Sequence, residues 1–486
     1  MSIKIRNRRL TDEEFFKIRR EEVLPQWKTG KAIENFAECI AAAKEFPEEK
    51  NHAMKMKGAK EADKHILIAA FGRALTEYMV DGLTFVERES ELGPDGLWQI
   101  FSDSYTRKNR YEKAADGIER SRQEGMSMLN GWPVVNYGVE EARTINRASK
   151  LPLHYVTCDE DARLAADIVL AAGWSGITAV TLGELIAHSK DGPLEKQIRM
   201  NQYIMRAAGK YTENGVPICT WTASNLTGYD IAAYRSFVCV SQALLAAEQG
   251  VKHQFIEHGI NMNMIQDIAM IRVTEKLCYE YSERYGYKDS EYYGGAFSFL
   301  GAWPARQEEA DAMIAWNVVI PTLGGIPGII LKCRDEAVAT PSKEGMAGSV
   351  RLARHLLTIM GTQRLPPNDA LRLEEQMLEM EVRALMEKCL EAGDGDVAVG
   401  MCKGVEAGWI DTMLTPWKYN HGKVVVVRDA QGAVRYLDSG DIPLPKEVRE
   451  YHREKIAERE RLEGRKADLK MVVDDITRAS TLRSGT

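Results

Sequence analysis

Apolar residues are distributed in two textures along this chain, and the change comes at Ile66. Before it they are spaced as in helices, and the charge-rich stretches from Arg6 to Glu22 and from Glu48 to Lys64 read as solvated faces. Thr11-Asp12-Glu13-Glu14 predicts a helix start, with threonine at the N-cap and glutamate at the third helical position. From Ile66 to about residue 340, strand-length apolar runs alternate with amphipathic helical stretches. That alternation is the signal for repeated βα units on a parallel sheet.

The strand candidates are Ile66 to Phe71, Leu97 to Ser102, Pro133 to Tyr137, Leu151 to Thr157, Ile177 to Leu182, Val216 to Thr222, Lys252 to Glu257, Tyr292 to Phe299 and Gly328 to Lys332. A closed (β/α)8 TIM barrel needs one fewer, so one run lies outside it or is misread; the glycine-rich Tyr292 run is a candidate. The barrel is preferred to an open doubly wound sheet, because no GxGxxG follows the first strand and no P-loop occurs. After residue 340 the alternation stops. Met346 to Gly361 and Asn368 to Glu391 read as amphipathic helices, Gly422 to Leu437 as two strands joined by a turn, and Glu447 to Lys466 as a charged helix or arm. The expected organisation is an N-terminal helical segment (1–64), a barrel domain (65–340) and a C-terminal helical and β-hairpin extension (341–486).

Charge narrows the class of partner. Lys and Arg number 64 against 71 Asp and Glu, a net charge of −7, which provides no basic field for nucleic acid. The chain has no uninterrupted apolar run of bilayer length and no signal-peptide pattern, so a cytoplasmic enzyme is expected. The eight cysteines contain no CxxC pair and the nine histidines no HExxH, so no metal site is written locally; most cysteines sit in apolar runs as small buried hydrophobes.

In parallel α/β folds, active sites form at the C-terminal ends of the strands. Here the run Leu97 to Ser102 ends in Asp103 and Ser104, then a cationic knot of Arg107, Lys108 and Arg110, a helix from about Glu112 to Glu124, and Asn130-Gly131-Trp132-Pro133. Taken alone, arginines placed so are more often solvated surface than anion ligands.

The stretch from Tyr105 to Gly138 as a whole, however, resembles the glutamate mutase (methylaspartate mutase) epsilon subunit family, which is adenosylcobalamin-dependent. The likeness continues collinearly through Thr11-Asp12-Glu13-Glu14-Phe15, Leu244 to Lys252, Asn263-Met264-Ile265-Gln266-Asp267, Pro341-Ser342-Lys343-Glu344, Lys418-Tyr419-Asn420, Val434-Arg435-Tyr436-Leu437 and Met471 to Ile476. It implies the same barrel and a reaction in which a 5'-deoxyadenosyl radical rearranges the carbon skeleton of an amino acid.

The resemblance also implies site residues. Lys332 and Glu336 match the family's pair for the adenosine end of the cofactor, and Asn130 its cofactor-contacting asparagine; without those flanks, Lys332 and Glu336 would read as an ordinary ion pair at helical spacing. Arg73 and Arg107 match two of three arginines that hold substrate carboxylates, whose forks suit bidentate pairing. The third falls on Val156, and the histidine after it on Thr157. A glutamate that contacts the substrate's amino group falls on Thr178, two substrate-contacting tyrosines fall on Glu184 and His188, and a glycine against the cofactor falls on Leu75.

The adenosine shell is therefore kept while the substrate shell has changed. The expectation is an isomerase subunit, a carbon-skeleton mutase, acting on an amino acid other than glutamate, with Arg73, Arg107, Thr178, Glu184 and His188 around it. True glutamate mutase and a non-catalytic scaffold paralogue are the alternatives. The motif DxHxxG, whose histidine supplies the cobalt's lower ligand, has only the near miss Asp63-Lys64-His65. The family arrangement thus implies a small cobalamin-binding partner carrying DxHxxG, in a heterotetramer built on a homodimer of large chains.

Overall fold

The computed structural model describes residues 3–156, 160–223, 229–299, 301 and 303–477. Eight parallel strands close into a barrel in sequence order: β1 (Ile66–Phe71), β2 (Gly96–Phe101), β3 (Leu153–Val156), β4 (Gly176–Thr178), β5 (Cys219–Ala223), β6 (His253–Gly259), β7 (Glu291–Phe297) and β8 (Gly328–Leu331). Closure is made by β1 beside β8, with Ile66 opposite Gly328 and Ala69 opposite Leu331. The expected fold class, a (β/α)8 barrel, is the one observed.

The surplus strand is Pro133 to Tyr137, and the Tyr292 run is β7. Trp132 extends the β2 edge through its amide to the Phe101 carbonyl at 2.8 Å, but Pro133 has no N–H with which to continue. Val134–Tyr137 instead makes one helical turn, ended by Gly138 at φ 80°. Val134 and Val135 are fully buried there, so an apolar composition serves a buried turn as well as a strand.

Inside the barrel, Ile66, Ile68, Leu97, Cys219, Trp221, Phe255, Tyr293 and Ile330 form one apolar cluster. Ala53, Met56 and Ala59 join it from the helix His52–Glu61, which plugs the N-terminal end of the strands. Access is left to the opposite end.

The first helix, Asp12–Ile18, begins as expected: Thr11 Oγ1 accepts from the Glu14 amide at 3.2 Å, and a Glu14 carboxylate oxygen accepts from the Thr11 amide at 2.9 Å. Thr11→Ala should cost about 1 kcal/mol, read as a lowered urea midpoint.

Beyond the barrel, helices Lys343–Met360, Asp369–Ala392 and Val397–Ala407 are followed by an antiparallel pair, β9 (Val425–Arg428) and β10 (Val434–Asp438), and the helix Lys446–Glu463. A buried network anchors this region. Arg435 forks onto Glu374 with two bonds of 2.7 Å and reaches Asp429 at 2.8 Å, while Gln266, on the barrel helix Met264–Arg284, bonds Glu374 and the Val434 backbone. Each charge is thus paired where solvent cannot screen it. The cysteines at 39, 219, 239, 278, 333, 389 and 402 are buried and unbridged; Cys158 and Thr157 lie outside the described residues.

Candidate active site

At the C-terminal end of β2 the chain turns sharply, and Asp103 holds the turn. Its carboxylate accepts from the amides of Tyr105 at 2.8 Å and Thr106 at 3.1 Å and from the Thr106 hydroxyl. Burial pushes the Asp103 carboxyl up from its ordinary range, and these donors oppose the shift. The turn is the 3₁₀ segment Thr106–Lys108, so Arg107 sits on a backbone fixed from beneath.

Two glycines let neighbouring loops meet. A Cβ on Gly131 would stand 2.4 Å from the Ser102 carbonyl oxygen, and one on Gly72 would stand 2.9 Å from the Gly131 Cα. Only glycine allows that approach. The contact brings Arg73, after β1, beside Asn130, whose side-chain oxygen accepts from the Ser104 amide at 3.0 Å.

The loop after β8 closes the ring. Lys332 Nζ lies 2.9 Å from the Glu336 carboxylate and 4.8 Å from the centre of the Trp303 ring. Asp335 cinches the loop by accepting from the Cys333 thiol at 2.7 Å and from the Ser342 hydroxyl, and Ser342 caps the helix Lys343–Met360. Arg73 donates to the Gly72 carbonyl at 2.9 Å and to the Pro341 carbonyl on this same loop, with its guanidinium 4.7 Å above the Phe71 ring.

These residues enclose one cavity of about 320 Å³, lined by Arg73, Arg107, Asn130, Lys332 and Glu336 together with apolar Phe101, Phe297, Leu331 and Met346. Two cations, an ion pair and an amide converge on an apolar floor, as in sites for polar small molecules. A larger groove of about 1120 Å³ lies at the other end of the strands, by Lys55, Glu87 and Lys150, and carries none of the candidate residues.

The family model for "Methylaspartate mutase E chain" matches residues 46–483. The chain belongs to this family. The glutamate mutase epsilon subunit of Desulfitobacterium hafniense is 37% identical over 471 residues, covering 97% of this chain and 96% of that one. The Escherichia coli O157:H7 protein of the same name is 36% identical, covering 98% of each chain, and that of Haloarcula marismortui is 32% identical, covering 96% and 94%.

Three of the residues that the family likeness singled out, Thr178, Glu184 and His188, are not among the described residues lining this cavity. Thr178 is buried at the end of β4, with its hydroxyl 2.9 Å from His154 Nε2. His154 stacks on Trp221 at 3.8 Å, and burial depresses its pKa well below the ordinary range, so it is neutral. Val156, buried on β3, adds no charge. Glu184 and His188 pair across one turn of the helix Leu182–His188, with His188 Nδ1 3.1 Å from the carboxylate.

Burial lowers the His188 pKa, Glu184 more than compensates, and Arg107 again lowers it; the net direction is up. The His188 side chain is nonetheless 49% exposed, so the pair is solvent-screened. Glu184→Gln should return the His188 pKa downward in an NMR titration, because the counter-charge is removed.

The sequence did not reveal the parts that Asp103, Trp303 and Asp335 play in holding the site. Asp103 had a signal, since Asp three residues before a turn residue commonly caps it; Asp335 meets Cys333 and Ser342 within its own loop, and Trp303 meets Lys332 only through the fold. The near-miss histidine of Asp63-Lys64-His65 is at the plugged end, its Nδ1 donating to the Ile326 carbonyl at 3.0 Å.

Proposed function

We propose that the chain is the catalytic subunit of an adenosylcobalamin-dependent carbon-skeleton mutase that rearranges an amino acid. The observation carrying this reading is the meeting of Arg73, Arg107, Asn130, Lys332 and Glu336, from separate loops, in one cavity at the open end of the barrel. The fit to the cofactor's adenosyl group is good: Lys332 donates, Glu336 accepts, and the apolar floor suits a purine face. When bound, that cofactor supplies the radical chemistry. Lys332, Glu336 and Asn130 hold its adenosyl end, Arg73 and Arg107 hold a substrate carboxylate, and the closed barrel keeps water from the reacting carbon.

A partner is required for the cobalt's lower face. His65 is engaged with a backbone carbonyl at the far end of the barrel, so a small DxHxxG subunit is assigned to that task, in a cytoplasmic heterotetramer of two large and two small chains. Among the described residues no helix is long and apolar enough to cross a membrane.

The substrate reading rests on the family likeness: the positions of its third arginine and of its amino-group glutamate fall on Val156 and Thr178, both buried at the ends of β3 and β4. Neither carries a charge, so two charged partners that the family likeness assigns to glutamate are missing, which favours an amino acid other than glutamate. A second reading, glutamate itself, is favoured by the names of relatives aligned over nearly the whole chain. Reconstituting both chains with adenosylcobalamin and following the EPR signal across a panel of amino acids separates them. A signal from an amino acid other than glutamate, and none from glutamate, is expected. A glutamate signal establishes the second reading, and cofactor uptake with silence throughout leaves a scaffold.

A further inference from the structure

We propose that Trp303 is a positioning residue for the adenosyl end of the cofactor, holding the Lys332 ammonium in place through the face of its indole. The inference rests on the reading of the cavity as the adenosyl site. Lys332 has two partners, the Glu336 carboxylate at 2.9 Å and the Trp303 ring at 4.8 Å. They are unequal in place: the Lys332 side chain is 9% exposed and that of Glu336 37%. The carboxylate therefore stands at the front of the cavity and the ammonium behind it.

That asymmetry matters when a ligand arrives. A carboxylate that accepts from ribose hydroxyls has less to offer Lys332, and an ammonium short of a counter-charge is drawn back to water. An indole face supplies attraction without consuming any of the three N–H donors, and tryptophan does so better than the other aromatic residues. Lys332 keeps its place and its donors while Glu336 turns to the ligand.

The ring is placed for this role from a different loop. Trp303 lies between β7 and the helix Gln307–Gly324, and Asp311 on that helix pairs with Arg334, two residues beyond Lys332, at 2.9 Å. The two loops are thus joined at two points. Trp303 Nε1 is buried with no hydrogen-bond partner among the described residues, whereas a buried indole N–H ordinarily finds one. Its ring is not held by that edge, and the face toward Lys332 is the polar contact it makes.

The test compares the assembled two-chain complex with adenosylcobalamin and with hydroxocobalamin, which lacks the adenosyl group. Trp303→Leu should weaken adenosylcobalamin about tenfold, Trp303→Phe about threefold, and neither should change hydroxocobalamin binding. Equal loss for both cobalamins would mean that the ring only supports the fold, and a leucine variant equal to wild type would overturn the role outright. A wild-type complex with no preference for the adenosyl form would overturn the reading of the cavity, and Trp303's role with it.

Discussion

Arg107→Ala is expected to lower turnover by about three orders of magnitude, while adenosylcobalamin uptake stays within about twofold. The guanidinium lines the cavity on a turn that Asp103 fixes from below, so its direction is set before a substrate enters. Removing it leaves a substrate carboxylate short of a charge-assisted partner in a largely enclosed place. Truncating one member of such a pair costs about 2–5 kcal/mol, and each 1.4 kcal/mol is about a factor of ten. The cofactor clamp, Lys332 and Glu336 on the loop after β8 with Asn130, does not use Arg107. The check is single-turnover kinetics beside an equilibrium titration of the cofactor; parallel loss of both would contradict the division of labour.

Lys332→Ala should have the complementary effect, weakening adenosylcobalamin by about a hundredfold in the assembled complex. The substitution removes three donors and leaves the Glu336 carboxylate without its counter-ion at 2.9 Å. Lys332→Arg recovers the charge without fitting the space before Trp303, so partial recovery is expected. Spectrophotometric titration reads both variants. An unchanged affinity for Lys332→Ala would place the adenosyl group elsewhere.

Much of the scaffold was legible because its signals are local. Thr11 and Glu14 cap a helix wherever the rest of the chain lies, and alternating runs of residues predict strands on a closed parallel sheet without any knowledge of neighbours. Pro133 to Tyr137 misled because a short, mostly apolar run such as Pro133-Val134-Val135 fills a buried turn as readily as a strand. The helix Val397–Ala407 left no clear pattern, since Gly400 and Gly404 are poor helix formers. The fold explains the first: a Cβ on Gly400 would stand 2.0 Å from the Cys389 carbonyl oxygen of the packed helix.

The site divided along the same line. Arg73, Arg107, Asn130, Lys332 and Glu336 could be picked out through their flanking residues, and they share a cavity. What holds them could not be read in advance. The Pro341 carbonyl that receives Arg73 is backbone, and every residue has one. Trp303 meets Lys332 only because the barrel brings β7 beside β8.

An experimental structure of the two-chain complex with adenosylcobalamin tests the central claim most directly. Ribose hydroxyls are expected within hydrogen-bond distance of both Lys332 Nζ and the Glu336 carboxylate, with the adenine over the apolar floor. Density for the deoxyadenosyl group outside this cavity, with that lysine and glutamate still paired only to each other, would contradict it.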